Sequence, residues 1–148
     1  MAWDFNRVRA NIRQAKEVMP KRLANLTQRY FVNSWKEQGW NGQHWEEVKR
    51  RIPGTKEYIY PLNKDLGRRT RAILVKSGKL RREVNDSIRV ATFQKIRLVV
   101  GDREAKYAGY HNQGTDRIPK RQFMGQTPAL TRQQKTEIDR YYKTMLAR

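Results

Sequence analysis

The sequence predicts an α+β fold: a long N-terminal helix, a small, mainly antiparallel β-sheet and a C-terminal helix. Three observations carry that expectation. Apolar residues from Phe5 to Tyr30 recur at steps of three and four, two runs between Ile88 and Val100 alternate with period two, and an apolar face follows Thr131. The 148 residues suit one domain, 1–148, read as helical over 1–35, loop-rich over 36–87, β-rich over 88–125 and helical over 131–147.

In the first element, Phe5, Val8, Ile12, Ala15, Met19, Leu23, Leu26 and Tyr30 share one helical face, and Asp4 is placed to cap its start. Pro20 removes a backbone donor and crowds the preceding turn, so a kink, or two helices sharing one stripe, fits better than a straight rod. Packing on the chain's own sheet is the plainer use of the stripe; a neighbouring subunit is the alternative.

Residues 36–87 are punctuated by Gly39-Trp40-Asn41-Gly42, Pro53-Gly54 and Pro61. Trp35, Trp40 and Trp45 recur every five residues, which suits neither helix nor strand, and they read as anchors pinning a loop to the core. So long a loop-rich stretch hints at segments ordered by function or by a partner. A short helical turn between Arg69 and Leu80 is expected to end at Gly78. The runs Ile88–Phe93 and Lys95–Val100 read as a hairpin around Gln94, and Lys106–His111 is a further strand candidate. Thr131 and Gln134 have capping-box spacing, and Ile138, Tyr141, Tyr142 and Met145 give the last helix its apolar face.

The net charge is +19, spread as +6, +7 and +6 over residues 1–60, 61–95 and 96–148, so there is no basic tail. Its densest stretch holds Lys64, Arg68, Arg69, Arg71, Lys76, Lys79, Arg81 and Arg82 against Asp65 alone. Such a surface attracts polyanions, so these eight residues are the candidate polyanion-facing set, and non-specific contact with DNA is an expectation. No apolar run approaches the ~18 residues that would span a bilayer, so no membrane contact is expected and the protein is read as soluble and cytoplasmic when made.

No catalytic, metal or cofactor-binding set is predicted. Without cysteine there is no thiolate nucleophile or thiolate metal ligand, and two histidines, His44 and His111, cannot form a three-histidine zinc site. Phosphate-loop, dinucleotide-binding and nucleophile-elbow motifs do not occur. Asp86 with Glu104-Ala105-Lys106 imitates the Asp…Glu-x-Lys arrangement of metal-dependent nucleases, but Gly101-Asp102 puts Glu104 and Lys106 in or beyond a turn rather than on the strand. Nucleic-acid binding without catalysis is the alternative function, resting on the basic cluster and interleaved aromatics.

Four strings make the chain recognisable. Leu74-Val75-Lys76-Ser77-Gly78-Lys79-Leu80, Tyr107-Ala108-Gly109-Tyr110-His111-Asn112-Gln113-Gly114 and Pro119-Lys120-Arg121-Gln122-Phe123-Met124-Gly125 follow Phe31 and Gly39-Trp40-Asn41-Gly42-Gln43-His44-Trp45. In this order and spacing they resemble the tail-completion, or virion morphogenesis, family of tailed bacteriophages, including the Mu-like type. The likeness runs from about Phe31 to the C-terminus. Gln122 stands where the family often has Pro, and Glu83 or Val84 where it has a small hydroxyl residue.

The resemblance implies a non-enzymatic structural protein that completes the tail and helps join it to the head. It would act as a homo-oligomeric ring, hexameric in the family, beside tail-tube or terminator and neck or connector proteins. The implied location is the virion tail or neck, after assembly in a bacterial cytoplasm. It also marks Trp40, Trp45, Gly78, Leu80, Tyr107, His111, Gly114, Pro119, Arg121 and Phe123 as fold or assembly positions. Within those strings, Gly78 suits a left-handed helix end that returns Leu80 to the core. Tyr107 and Ala108 suit strand packing, with His111 at the strand's polar end. Pro119 suits an extended approach, Phe123 a hydrophobic plug and Gly125 a release before the last helix. Arg121 calls for a carboxylate, either within the fold or on a neighbouring subunit.

Overall fold

The computed structural model describes residues 4–61 and 64–146 and has the expected α+β architecture. The elements are α1 (Phe5–Glu37), β1 (Gly39–Trp40), β2 (Gln43–His44), α2 (Lys56–Ile59), α3 (Lys79–Asn85), β3 (Ile88–Ala91), β4 (Ile96–Leu98), α4 (Ala108–Gln113) and α5 (Pro128–Leu146). Short 3-10 turns lie at Lys49–Arg51 and Leu66–Arg69. The strands form two separate antiparallel pairs, β1 with β2 and β3 with β4. Residues 1–3 and 147 of the expected helical stretches lie outside the described residues. Among the described residues no helix is long and apolar enough to cross a membrane.

Backbone contacts gather into two compact units where the sequence reading has one domain. One comprises residues 4–30, 87–99 and 126–146; the other comprises 31–61, 64–86 and 100–125. The boundary falls inside α1.

In the first unit, Asp4 caps α1 as its position suggests, its Oδ1 accepting from the N–H groups of Asn6 at 3.0 Å and Arg7 at 3.1 Å. Pro20 sits inside a continuous helix, which removes the two-helix option. The buried face also drifts from the expected stripe. Ala15 and Met19 are buried, but further along it is Ala24 and Thr27, not Leu23 and Leu26, that are covered; Phe5, Val8 and Ile12 are exposed.

The expected hairpin forms as β3–β4, pairing Ile88 with Leu98 and Ala91 with Ile96, with a register shift between Ile88 and Val90 and no alternation of burial along β3. Thr92 and Lys95 close its turn with reciprocal backbone bonds of 2.9 and 3.1 Å. The expected start of the last helix at Thr131 is three residues late. Thr127 is the cap, its hydroxyl accepting from the Leu130 N–H at 3.1 Å, and Pro128 takes the first helical position, where a missing N–H costs nothing. Gln134 instead donates to the Thr27 hydroxyl at 3.0 Å, while the Tyr30 and Thr127 hydroxyls lie 2.9 Å apart. Arg22 bridges to Glu137 at 3.1 Å.

In the second unit, Asn41 and Gly42 take positive φ values of 51° and 80°, the backbone a two-residue hairpin demands. Trp35, Trp40 and Trp45 are all buried, as loop anchors should be.

Three expectations are corrected in this unit. Lys106–His111 is not a strand: Ala108–Gln113 is helix, so the β-rich stretch of 88–125 reduces to its first eleven residues. The cause is upstream. Glu83 is buried, and its carboxylate accepts from the N–H groups of Gly101 at 2.7 Å, Arg103 at 3.2 Å and Ala105 at 2.8 Å. That grip curls 101–105 into a turn which leads into α4. Gly78 has the expected left-handed φ of 77°, but it opens α3 instead of closing a preceding helix. Leu80, at the start of α3, is core as expected. His111 accordingly lies within α4, not at the end of a strand.

Candidate functional site

All ten positions marked by the resemblance lie in the second unit, and three of them, Trp40, Trp45 and Phe123, take part in its aromatic contacts. Phe123 is 1% exposed, with its ring 5.2 Å from Trp35; Trp35 meets Trp45 edge-on at 5.8 Å, and Phe31 meets Trp40 at 5.9 Å. The Trp45 indole N–H donates to the Gln122 carbonyl at 2.7 Å. Asn112 anchors the same segment from α4: its side-chain oxygen accepts from the Phe123 and Met124 N–H groups, both at 3.0 Å, and its amide donates to the Met124 carbonyl at 3.1 Å. Phe123 is therefore the hydrophobic plug that its string suggests. The adjoining Pro119 is half-buried in irregular chain.

Arg121 is buried at 7% exposure and donates through Nε to the Glu46 backbone carbonyl at 3.0 Å. The partner within the fold is thus a carbonyl and not the expected carboxylate. Burial lowers its pKa, while the Glu46 and Glu47 charges raise it. Arg121 also donates its backbone N–H to the His111 carbonyl at 2.8 Å. His111 Nδ1 is buried without a hydrogen-bond partner, and Tyr107 stands edge-on to the ring at 5.8 Å. Burial, then the Arg121 charge, lower the His111 pKa. Gly114 ends α4 with φ 80° and ψ 166°, a conformation available essentially to glycine alone.

The eight expected polyanion-facing residues divide. Arg69 is used internally: Nε and Nη2 donate to the Tyr58 carbonyl at 2.9 and 2.6 Å, and the guanidinium stacks over the Tyr58 ring at 4.3 Å. Arg71 pairs with Asp65 at 2.8 Å, Lys79 with Glu104 at 3.4 Å, and Arg82 donates to the Ser77 carbonyl at 3.0 Å. Lys64, Lys76 and Arg81 are exposed, and Arg68 is half-buried.

A second basic feature joins part of that set to residues the sequence reading passed over. The turns Lys49–Arg51 and Leu66–Arg69 and the helix α2 border a cleft of about 350 Å³ lined by Lys49, Arg50, Arg68, Arg69, Tyr60 and Glu57, among others. Thr55 caps α2 by accepting from the Tyr58 N–H. Arg50 holds the wall together, Nε donating to the Arg68 carbonyl at 3.0 Å and Nη2 to those of Arg71 at 3.2 Å and Ala72 at 2.9 Å. Its pKa is lowered by burial, then by Arg68, Arg51 and Arg121, with Glu47 opposing. The signal missed in the sequence was the contiguous run Lys49-Arg50-Arg51 upstream of Tyr60.

Two of the three nuclease-like residues are drawn into other contacts: Asp86 pairs with Arg103 and Glu104 with Lys79. Among the described residues no group of three acidic or histidine side chains could hold a metal ion. No protein-family model, curated protein or solved structure matches the chain.

Proposed function

We propose that this chain is a non-enzymatic structural subunit of a tailed-phage virion, acting in a closed homo-oligomeric ring that completes the tail at its junction with the head. The observation supporting this reading is physical linkage between strings far apart in sequence. The Trp45 indole bonds the Gln122 carbonyl, Arg121 bonds the Glu46 carbonyl, and Phe123 packs on Trp35. Three of the four strings that carry the resemblance are thus tied together by direct contacts, which supports the reading. A ring of identical subunits joins two different patches on each copy, so the surface needs no self-complementary face. With +19 on every copy, closure favours acidic neighbours in the tail or neck.

Light scattering across a concentration series tests the reading. The expected result is a discrete species at an integer multiple of 17.7 kDa, six-fold for a hexamer. A monomer at every concentration overturns the ring. If that monomer binds duplex DNA with log K falling by about 0.9 per phosphate contact as log[salt] rises, the nucleic-acid-binding alternative replaces it.

A further inference from the structure

We propose that the cleft bordered by Lys49–Arg51, α2 and Leu66–Arg69 docks an acidic segment that also carries apolar side chains, supplied by a protein other than a second copy of this chain. Four cations line it against one carboxylate, Glu57. Arg50 and Arg69 are fixed by five hydrogen bonds to backbone carbonyls, so that part of the basic wall is ordered before any partner arrives. The Lys49 and Arg68 head groups make no hydrogen bond or ion pair among the described residues and remain available to an incoming carboxylate.

The choice of a protein over a nucleic acid comes from the apolar part of the same lining. Val48, Tyr60 and Pro61 border the cleft, and Tyr60 is 74% exposed. A phosphodiester backbone answers the cations but offers little aliphatic surface to cover Val48, Tyr60 and Pro61. A protein segment answers both, and Tyr and Arg are the residues in which interface energy concentrates. A second copy is disfavoured because each chain carries +19. The inference does not depend on the ring reading, since it concerns a heterologous partner and its test contains no oligomer measurement.

The test is fluorescence anisotropy with the full chain and three labelled probes: a helical peptide with Glu on one face and Leu on the other, poly-L-glutamate of equal charge, and a single-stranded oligonucleotide. The amphipathic peptide is expected to bind best. Lys49→Glu with Arg68→Glu should weaken it by about tenfold or more, the effect of losing roughly 1.4 kcal/mol. Tyr60→Ala should weaken the amphipathic peptide but not poly-L-glutamate, and Glu57→Gln should strengthen both acidic probes. Matched far-UV circular dichroism and unfolding midpoints establish that the variants are folded. Should the double charge reversal not fold, Lys49→Gln with Arg68→Gln must weaken binding in the same direction. The proposal is overturned if Lys21→Glu with Arg29→Glu, outside the cleft, weakens the peptide equally, if Tyr60→Ala changes nothing, or if the oligonucleotide binds tighter and displaces the peptide.

Discussion

The Trp45 indole N–H and the Gln122 carbonyl, 77 residues apart in sequence, are joined by a hydrogen bond of 2.7 Å. The bond holds the Arg121–Phe123 segment against the tryptophan core. Trp45→Phe keeps a ring but leaves the Gln122 carbonyl without this donor, and should cost about 1–3 kcal/mol. Trp45→Ala also opens a cavity and should cost about 3–5 kcal/mol. Urea denaturation with a common slope measures both; an undiminished stability in Trp45→Phe would show that the hydrogen bond contributes nothing separable.

Glu83 is expected to be among the most sensitive acidic positions. Glu83→Ala strands three N–H groups, those of Gly101, Arg103 and Ala105, and should destabilise by about 3 kcal/mol or more. Glu83→Gln turns an amide N–H₂ toward donors and should recover only part of that. Hydrogen exchange at Gly101 and Ala105 provides the local readout: protection retained in Glu83→Ala would refute the clamp.

His111 gives stability a pH dependence of definite sign. Its pKa in the fold lies below the ordinary 6.5, so the unfolded chain binds the proton more readily. Stability contributed by neutral His111 is complete above the unfolded value and declines as pH falls through 6.5 toward the folded value. His111→Phe preserves a ring beside Tyr107 and removes the titration. The difference in urea midpoint between about pH 7.5 and about pH 5.5, either side of the ordinary histidine value, should shrink in this variant. An unchanged difference would assign the pH dependence elsewhere.

Two glycines with the same φ should respond differently to alanine. Gly42 has φ 80° and open space where an added methyl group would stand, so Gly42→Ala should carry only the left-handed backbone penalty, about 1 kcal/mol. At Gly114, also φ 80°, the new Cβ would lie 3.0 Å from the Lys120 N and Cβ atoms. Gly114→Ala should therefore lose more, about 2–3 kcal/mol with strain and contact together. Thermal unfolding of the pair settles the order.

What could be read from residue patterns was what local chemistry decides. Asp4 beside a helical stripe, Asn41-Gly42 between short strands and the alternation from Ile88 to Leu98 each carry their structural cause within a few residues. The aromatic core was legible only in kind: Trp35, Trp40 and Trp45 read as loop anchors and Phe123 as a hydrophobic plug, while their meeting depends on contacts across more than seventy residues. The strand expected at Lys106–His111 failed because Tyr107, Ala108, Gly109 and Tyr110 alternate in size, while the decision was made by Glu83, more than twenty positions upstream. Thr127-Pro128 was a complete helix-start signal, overshadowed by the capping-box spacing of Thr131 and Gln134. In the basic stretch, counting charges could not separate Arg69, engaged by the Tyr58 carbonyl, from Arg68, whose head group stays open. Arg50 lay outside the counted cluster altogether, though it braces the cleft that Arg68 and Arg69 line.

The aromatic core has a consequence for synthesis. Phe123 is its last member to be translated, and Gln122 supplies the carbonyl that Trp45 needs. A nascent chain therefore emerges from the ribosome with the Trp35 ring and the Trp45 indole N–H awaiting partners nearly eighty codons downstream of Trp45. Until that segment appears, those two tryptophans lack part of their native cover, the ordinary hazard of long-range closure. A stop codon anywhere between Trp45 and Phe123 would release a product in which Trp35 and Trp45 can meet each other but not the segment that closes over them.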